Sequence, residues 1–219
     1  MDIKIIDAKK TILEDNDEDA EVLRKDLEEK GILYLNVMSS PGSGKTSCII
    51  SIIKRLESDF RIAVMEADID SDVDARKIQE ETGAEAIQIH TGGMCHLDAE
   101  MSRQGLRELK SSPNLVILEN VGNLVCPAEF DTGAAKNIVI LSVPEGDDKP
   151  LKYPLMFEKA DAVVINKIDA IEAFDFNIER ARENIKKRNG SIPVFPVSAA
   201  TGEGVDEITD WIKKLSKNY

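Results

Sequence analysis

The chain places Ser39-Ser40-Pro41-Gly42-Ser43-Gly44-Lys45-Thr46 directly after the strand-like run Ile32–Met38. Thr46–Ser58 follows, with Ile49, Ile50, Ile52, Ile53 and Leu56 at helical spacing. A buried strand, a glycine-bearing loop and a helix, in that order, leave few folds open. Gly42 and Gly44 allow backbone N–H groups to turn inward as an anion nest. A helix starting near Lys45 adds the positive end of its dipole. In such a phosphate loop Lys45 would reach the β- and γ-phosphates and the Thr46 hydroxyl would hold Mg²⁺. Gly42, Ser43, Gly44, Lys45, Thr46 and Ser47 are therefore the candidate phosphate-binding residues. Ser39 stands where the usual pattern has glycine, and the competing reading is an ordinary Gly-rich turn.

Further apolar runs rich in Val and Ile recur at Arg61–Glu66, Ala86–His90, Leu115–Glu119, Asn137–Val143, Asp161–Asn166 and Pro193–Val197. Continuous runs of this kind mark strands buried on both faces. Amphipathic stretches at Ala99–Lys110, Ile178–Lys187 and Val205–Leu215 lie between them. The alternation predicts an α/β fold: a mainly parallel seven-stranded sheet with helices on both faces. Ligands then sit at the carboxyl ends of the strands. Asp7–Lys30 is highly charged, with Ile12, Leu13, Val22, Leu23 and Leu27 at helical spacings. It predicts an N-terminal extension (residues 1–30) of one or two helices outside the 31–219 core, stopped by Gly31. A chain of 219 residues fits one domain.

Asn166-Lys167-Ile168-Asp169 ends the sixth run. A carboxylate at Asp169 can accept from guanine N1–H and N2–H₂, a pattern adenine lacks, so it would reject adenine. Asn166 would support the loop and the Lys167 stem would cover the base. Ser198 and Ala199 follow the last run and fit a backbone-supplied contact to the base; a solvated turn is the alternative. The chain therefore reads as a GTP binder. Hydrolysis also needs carboxylates for metal and water. Asp68, Asp70, Asp72 and Asp74 follow the second run, and Glu119-Asn120-Val121-Gly122 forms an ExxG element after the fourth. Asp70 and Asp72 read as a solvated turn. Asp68, Asp74 and Glu119, with Lys45, are the candidate catalytic residues, and Asp68 or Glu119 could hold Mg²⁺ alongside Thr46. No arginine finger is evident, so slow intrinsic hydrolysis is expected.

The net charge of -13 argues against a nucleic-acid partner. No run is long enough to span a bilayer, and no signal-peptide pattern opens the chain, so neither membrane attachment nor secretion is expected. Cys48, Cys95 and Cys126 form no disulfide framework, which fits a cytoplasmic protein. Cys95-His96 follows the third run and Cys126-Pro127 lies shortly after Glu119–Gly122. Both pairs fall on the nucleotide side of the predicted sheet. Thiolate and imidazole suit Ni²⁺ or Zn²⁺. Three ligands are one short of a closed structural site, and a two-fold dimer would pool two sets. The competing reading makes the cysteines small buried hydrophobes and His96 a helix-start residue.

Met38–Thr46, Glu66–Arg76, Thr91–Ala99, Glu119–Asp131, Glu145–Asp148 and Asn166–Asp169 together resemble the HypB hydrogenase-maturation GTPases. Cys95-His96-Leu97-Asp98-Ala99 and Glu119-Asn120-Val121-Gly122-Asn123-Leu124-Val125-Cys126-Pro127 carry the resemblance most specifically. It implies a P-loop NTPase of the SIMIBI class that dimerises with GTP and delivers nickel to [NiFe]-hydrogenase. It implies Ni²⁺ or Zn²⁺ at Cys95, His96 and Cys126 in the dimer interface, and Lys152 touching nucleotide across it. It also implies a nickel-binding maturation partner of the HypA type and the hydrogenase large-subunit precursor as target. The chain departs from some relatives: no cysteine precedes Cys48, and its only histidines are His90 and His96. Rival readings are a urease- or cobalamin-enzyme-type accessory GTPase, or a metal-binding dimeric adaptor in which GTP is structural. The Cys-Pro-His loop of the urease type is absent, since Ala128 follows Pro127.

Overall fold

Seven parallel strands form one sheet in the order β3-β2-β4-β1-β5-β6-β7 in the computed structural model, which describes residues 8–69, 71–190 and 192–219. The strands are β1 Leu33–Ser39, β2 Ile62–Asp68, β3 Glu85–His90, β4 Leu115–Glu119, β5 Lys136–Ser142, β6 Ala162–Asn166 and β7 Val194–Pro196. The main helices are α1 Ala8–Glu29, α2 Lys45–Leu56, α3 Val73–Thr82, α4 Ala99–Glu108, α8 Ile178–Asn189 and α9 Val205–Leu215. Short helical segments α5 Cys126–Glu129, α6 Lys149–Lys152 and α7 Pro154–Glu158 complete the set.

Each strand alternates its side chains between the two faces. Leu33, Leu35 and Val37 of β1 join α2, α3 and α9 in one core. Tyr34 turns the other way, into a core with Leu23 and Leu27 of α1 and Leu97 before α4. A third core on that second face packs β5 and β6 against Met156 and Phe157 of α7 and Ile185 of α8. Burial on both faces explains the near-continuous apolar runs. The chain leaves β1 toward β2 and β3, returns to β4, then proceeds through β5 to β7. β1 therefore sits where the order reverses, and the crevice beyond its carboxyl end is the natural ligand position.

The extension over 1–30 is one helix from Ala8 onward; residues 1–7 lie outside the described part, as does Asp70. Gly31, at φ 68°, takes the chain out of that helix. Helix α4 rides close on β2 and β3: a Cβ at Gly105 would lie 2.6 Å from Ile89 Cδ1 and 2.9 Å from Met65 Sδ. Among the described residues no helix is long and apolar enough to cross a membrane.

Candidate functional site

The loop after β1 is pinned from both sides. Ser43 Oγ donates to Ser39 Oγ at 2.6 Å, so the serine in the place of a glycine stitches the loop with its hydroxyl. Ser40 Oγ bonds Glu145, whose other oxygen accepts from Ser142 N and Oγ, each at 2.8 Å. Gly44 begins α2 at φ 91°, and a Cβ there would lie 2.6 Å from Asn166 Nδ2. Only glycine supplies both that dihedral and that close approach.

Asn166 joins three loops. Its Nδ2 donates to Ser43 O at 2.9 Å, and its Oδ1 accepts from Ala199 N at 3.1 Å. Lys167, at φ 66°, donates from Nζ to Gly42 O at 2.7 Å. Asp169 Oδ1 accepts from Ser198 Oγ at 2.6 Å. Gly44, Ser47, Asn166, Lys167, Asp169 and Ala199 line a cleft of about 510 Å³. The phosphate loop, the Asn166–Asp169 turn and the Ser198–Ala200 turn are thus one structure, although 123 residues separate Ser43 from Asn166.

Beside Lys45 and Thr46 lies a carboxylate cluster. Ligand oxygens of Glu66, Asp74 and Glu119 all come within 4.8 Å of one another. Glu66 and Glu119 are register partners on β2 and β4, and both are buried. Thr46 Oγ1 donates to Glu119 Oε1 at 2.9 Å. Burial, only partly offset by Lys45, raises the Glu119 pKa to about 7. Burial and then the neighbouring Glu119 raise that of Glu66 to about 8. Glu66 Oε2 and Glu119 Oε2 are buried without a hydrogen-bond partner. Such atoms are costly to leave unsatisfied. A hard, oxygen-seeking cation would satisfy them, and the donor set fits Mg²⁺. Asp68 stands at the end of β2 and accepts from Ser71 N at 3.0 Å. It is not among the clustered groups. Asp72 pairs with Arg76 at 2.6 Å on the solvated side. Glu66 escaped the sequence reading, yet it carried a signal: a charge inside an apolar central strand is exceptional.

A second cluster occupies the same edge of the sheet, beyond β3 and β4. Ligand atoms of Cys95, His96 and Cys126 all lie within 4.8 Å of one another, and all three residues are half-buried. The Cys126 thiol is held above its ordinary value, first by its hydrogen bond with Cys95 and then by burial. Asn123 Nδ2 also reaches Cys126 Sγ at 3.6 Å. His96 stacks on Phe130 with ring centroids 3.7 Å apart and planes 14° apart. Burial holds its pKa below the ordinary histidine value, which favours the neutral, ligating imidazole. Its Nδ1 is buried without a partner. Cys48, by contrast, packs in the core on α2, where burial raises its thiol to about 12. Exposed apolar side chains rim the edge: Ile69, Val73, Met94 and Val125. Lys152 is exposed on α6 and pairs with Asp148 at 2.7 Å.

Residues 33–196 match the family described as "CobW/HypB/UreG, nucleotide-binding domain". The chain is 46% identical over 211 residues to the hydrogenase maturation factor HypB of Rhizobium leguminosarum bv. viciae, covering 96% of this chain and 70% of that protein. It is 42% identical to the hydrogenase/urease maturation factor HypB of Helicobacter hepaticus, over 95% of this chain and 87% of that one. Its fold superposes on the crystal structure of HypB from Helicobacter pylori in complex with nickel, with TM-score 0.87 and 39% identity, covering 93% of this chain and 95% of that chain. A match to HypB from Archaeoglobus fulgidus has TM-score 0.85 and 36% identity, with 92% and 98% covered. The signal recognition particle receptor FtsY of Elizabethkingia anophelis in complex with GDP shares the fold at 13% identity, TM-score 0.57, with 80% of this chain and 64% of that chain covered.

Proposed function

The chain belongs to the CobW/HypB/UreG family of nucleotide-binding domains, and we propose that it is a HypB-type GTPase gating nickel delivery during [NiFe]-hydrogenase maturation. The observation that carries this reading is the convergence of Cys95, His96 and Cys126 on the sheet edge that also bears the phosphate loop.

Gly42, Ser43, Gly44, Lys45, Thr46 and Ser47 hold the phosphates through backbone amides, the Lys45 ammonium and the hydroxyls. Asp169 selects guanine, Asn166 fixes the phosphate loop against the base loop, and Ser198 and Ala199 back the pocket. Thr46, Glu119, Glu66 and Asp74 make the Mg²⁺ environment, with Asp68 at its margin. When bound, Mg²⁺ neutralises charge on the phosphate oxygens. Lys45 lies near enough to Glu119 to act on its charge, so the two positions answer to the same phosphate end. Turnover by the isolated protein is slow.

Nickel is cargo, held by the two thiolates and the imidazole; Zn²⁺ suits the same donors. The rim of Ile69, Val73, Met94 and Val125 supports a homodimer favoured by GTP, with Lys152 reaching the partner's nucleotide. A nickel-binding partner of the HypA type supplies the metal, and the hydrogenase large-subunit precursor receives it, all in the cytoplasm. The test is metal analysis and solution mass of the protein with GDP and with a non-hydrolysable GTP analogue, beside steady-state GTP turnover. Nickel retention and a dimer with the analogue are expected. Equal affinity for ATP and GTP, or no nickel in either state, overturns the reading.

A further inference from the structure

The two segments that carry the metal ligands share a fastener on a third element. Asn16 of α1 accepts a hydrogen bond from Ala99 N at 3.0 Å through Oδ1. Through Nδ2 it donates to Asp131 O, also at 3.0 Å. Ala99 opens α4 and lies three residues past His96. Its N–H is one of the donors left unpaired at a helix start, and Asp98 caps Met101 N at 2.8 Å but not Ala99. Asp131 lies immediately after Phe130, the ring on which His96 stacks, and five residues past Cys126. One amide therefore bridges the Cys95–His96 segment to the Cys126 segment.

Arg24, two turns further along α1, completes the attachment. Its NH2 nitrogen lies 2.8 and 2.6 Å from the two Asp131 carboxylate oxygens. Its Nε donates to Ala134 O at 3.0 Å. Asn16 also occupies a telling place in the sequence. Leu13, Asn16, Ala20, Leu23 and Leu27 repeat at intervals of three and four, so a polar residue interrupts the apolar seam of α1. Leu23 and Leu27 are buried in the core that includes Leu97, and Asn16 is half-buried further toward the start of α1.

We propose that Asn16 is a positioning residue for the cargo-metal site, setting the spacing between the Cys95–His96 and Cys126 ligand segments, with Arg24 anchoring its lower end. This rests on the reading of Cys95, His96 and Cys126 as the nickel site. Outer-shell groups orient ligands, and losing one typically costs about 10–100-fold in metal affinity. Helix α1 is thereby a handle on the metal site, and the bonds of Asn16 and Arg24 described here go to none of the nucleotide-binding residues named above.

The experiment titrates full-length protein with nickel(II) chloride against a chromophoric chelator, with GDP bound and with a GTP analogue bound. The variants are Asn16→Ala, Asn16→Asp and Cys126→Ala. Asn184→Ala serves as a control, because it deletes a buried bond to Asp147 O at 3.0 Å that involves neither ligand segment. Asn16→Asp keeps an acceptor for Ala99 N–H but sets a carboxylate against the Asp131 carbonyl. Both Asn16 variants are expected to weaken nickel about tenfold or more and to shift the thiolate-to-nickel absorption band. GDP affinity should stay within about twofold of wild type, since no nucleotide contact is removed. Asn184→Ala should lower the melting temperature without moving the band. Wild-type nickel affinity and an unshifted band in folded Asn16→Asp overturn the positioning role, even if Asn16→Ala fails to fold. Unchanged nickel affinity in Cys126→Ala overturns the ligand assignment itself and the positioning role with it.

Discussion

The nucleotide end and the metal end of the same sheet edge are built differently. Around the phosphate loop, Asn166, Lys167, Ser39 and Glu145 tie loops from distant parts of the chain into one frame, with Asn166 and Ser39 fully enclosed. Around Cys95, His96 and Cys126 the residues are half-buried, the contacts include a hydrogen bond between the two thiols, a stacked ring, a long N–H···S bond and the Asn16 bridge, and Met94 and Val125 stand in solvent. Preorganisation lowers the ordering cost of binding, so the first end suits a ligand held in a fixed pose. A half-buried site spanning two segments that are joined through a third element has geometry that a neighbour can change, which suits a cargo that must be released. The difference is one that a switch could use: an interlocked, buried end beside a more exposed one.

The largest effect tests the interlocked end. Lys45→Ala should reduce GTP turnover by about 10²–10³-fold, as loss of a transition-state charge contact does. Nickel affinity of the monomer should be untouched. A steady-state phosphate-release assay beside nickel titration decides, and a matching fall in both would break the division into two ends. Asn166→Ala comes next. It removes the bonds to Ser43 O and Ala199 N and should weaken GDP by about tenfold to a hundredfold, read by fluorescent-nucleotide displacement. Cys126→Ala should weaken nickel by about tenfold or more while GDP affinity holds. Wild-type nickel binding, which ligation requires to release protons, should itself weaken as pH falls.

The smallest effect concerns a knot that ties the segment after Glu145 to α8. Burial works to raise the Asp147 pKa, but the Arg180 guanidinium and the Asn177 amide hold it below 3.8. The folded pKa lies below the unfolded one, so this stabilisation is whole above the unfolded value. It is lost as pH falls through the folded value. Asp147→Asn should cost about 1–3 kcal/mol at neutral pH. Urea midpoints of variant and wild type should converge in the acid range below ordinary carboxylate pKa values. A gap that stays constant would show that packing, not charge, fixes the α8 side of the fold.

The strands were legible because burial on both faces leaves unbroken apolar runs, as at Leu115–Glu119. The loops Ser39–Thr46 and Asn166–Asp169 stood out because glycine dihedrals and a carboxylate acceptor leave few residue choices, and the structure bonds the two together. Helix α3 was not, since only Ala75 and Ile78 of Val73–Thr82 are buried and its acidic start reads as a turn. The short helices α5, α6 and α7 were hidden by Pro127, Pro150 and Pro154, which break a pattern yet suit a first helical turn. Register concealed Glu66: its pairing with Glu119 belongs to strands over fifty residues apart. Asn16 was concealed for a related reason, since both of its partners are backbone groups, Ala99 N–H and Asp131 O, which no side-chain pattern announces.

Gly105 carries a consequence for how this chain can vary. Glycine inside a helix costs roughly 0.5–1 kcal/mol relative to alanine, so selection for stability alone would replace it. A methyl there would meet the ends of the Ile89 and Met65 side chains at 2.6 and 2.9 Å, so those side chains must move to admit it, and overpacking of this kind costs about 1–3 kcal/mol where they cannot. In a saturation library selected for folded protein, position 105 should accept only the smallest residues, while exposed neighbours such as Gln104 and Arg107 accept many. Glycine here acts as a spacer of zero thickness. A helix grafted in from a relative with a bulky residue at that place would have to dock higher or displace Ile89 and Met65.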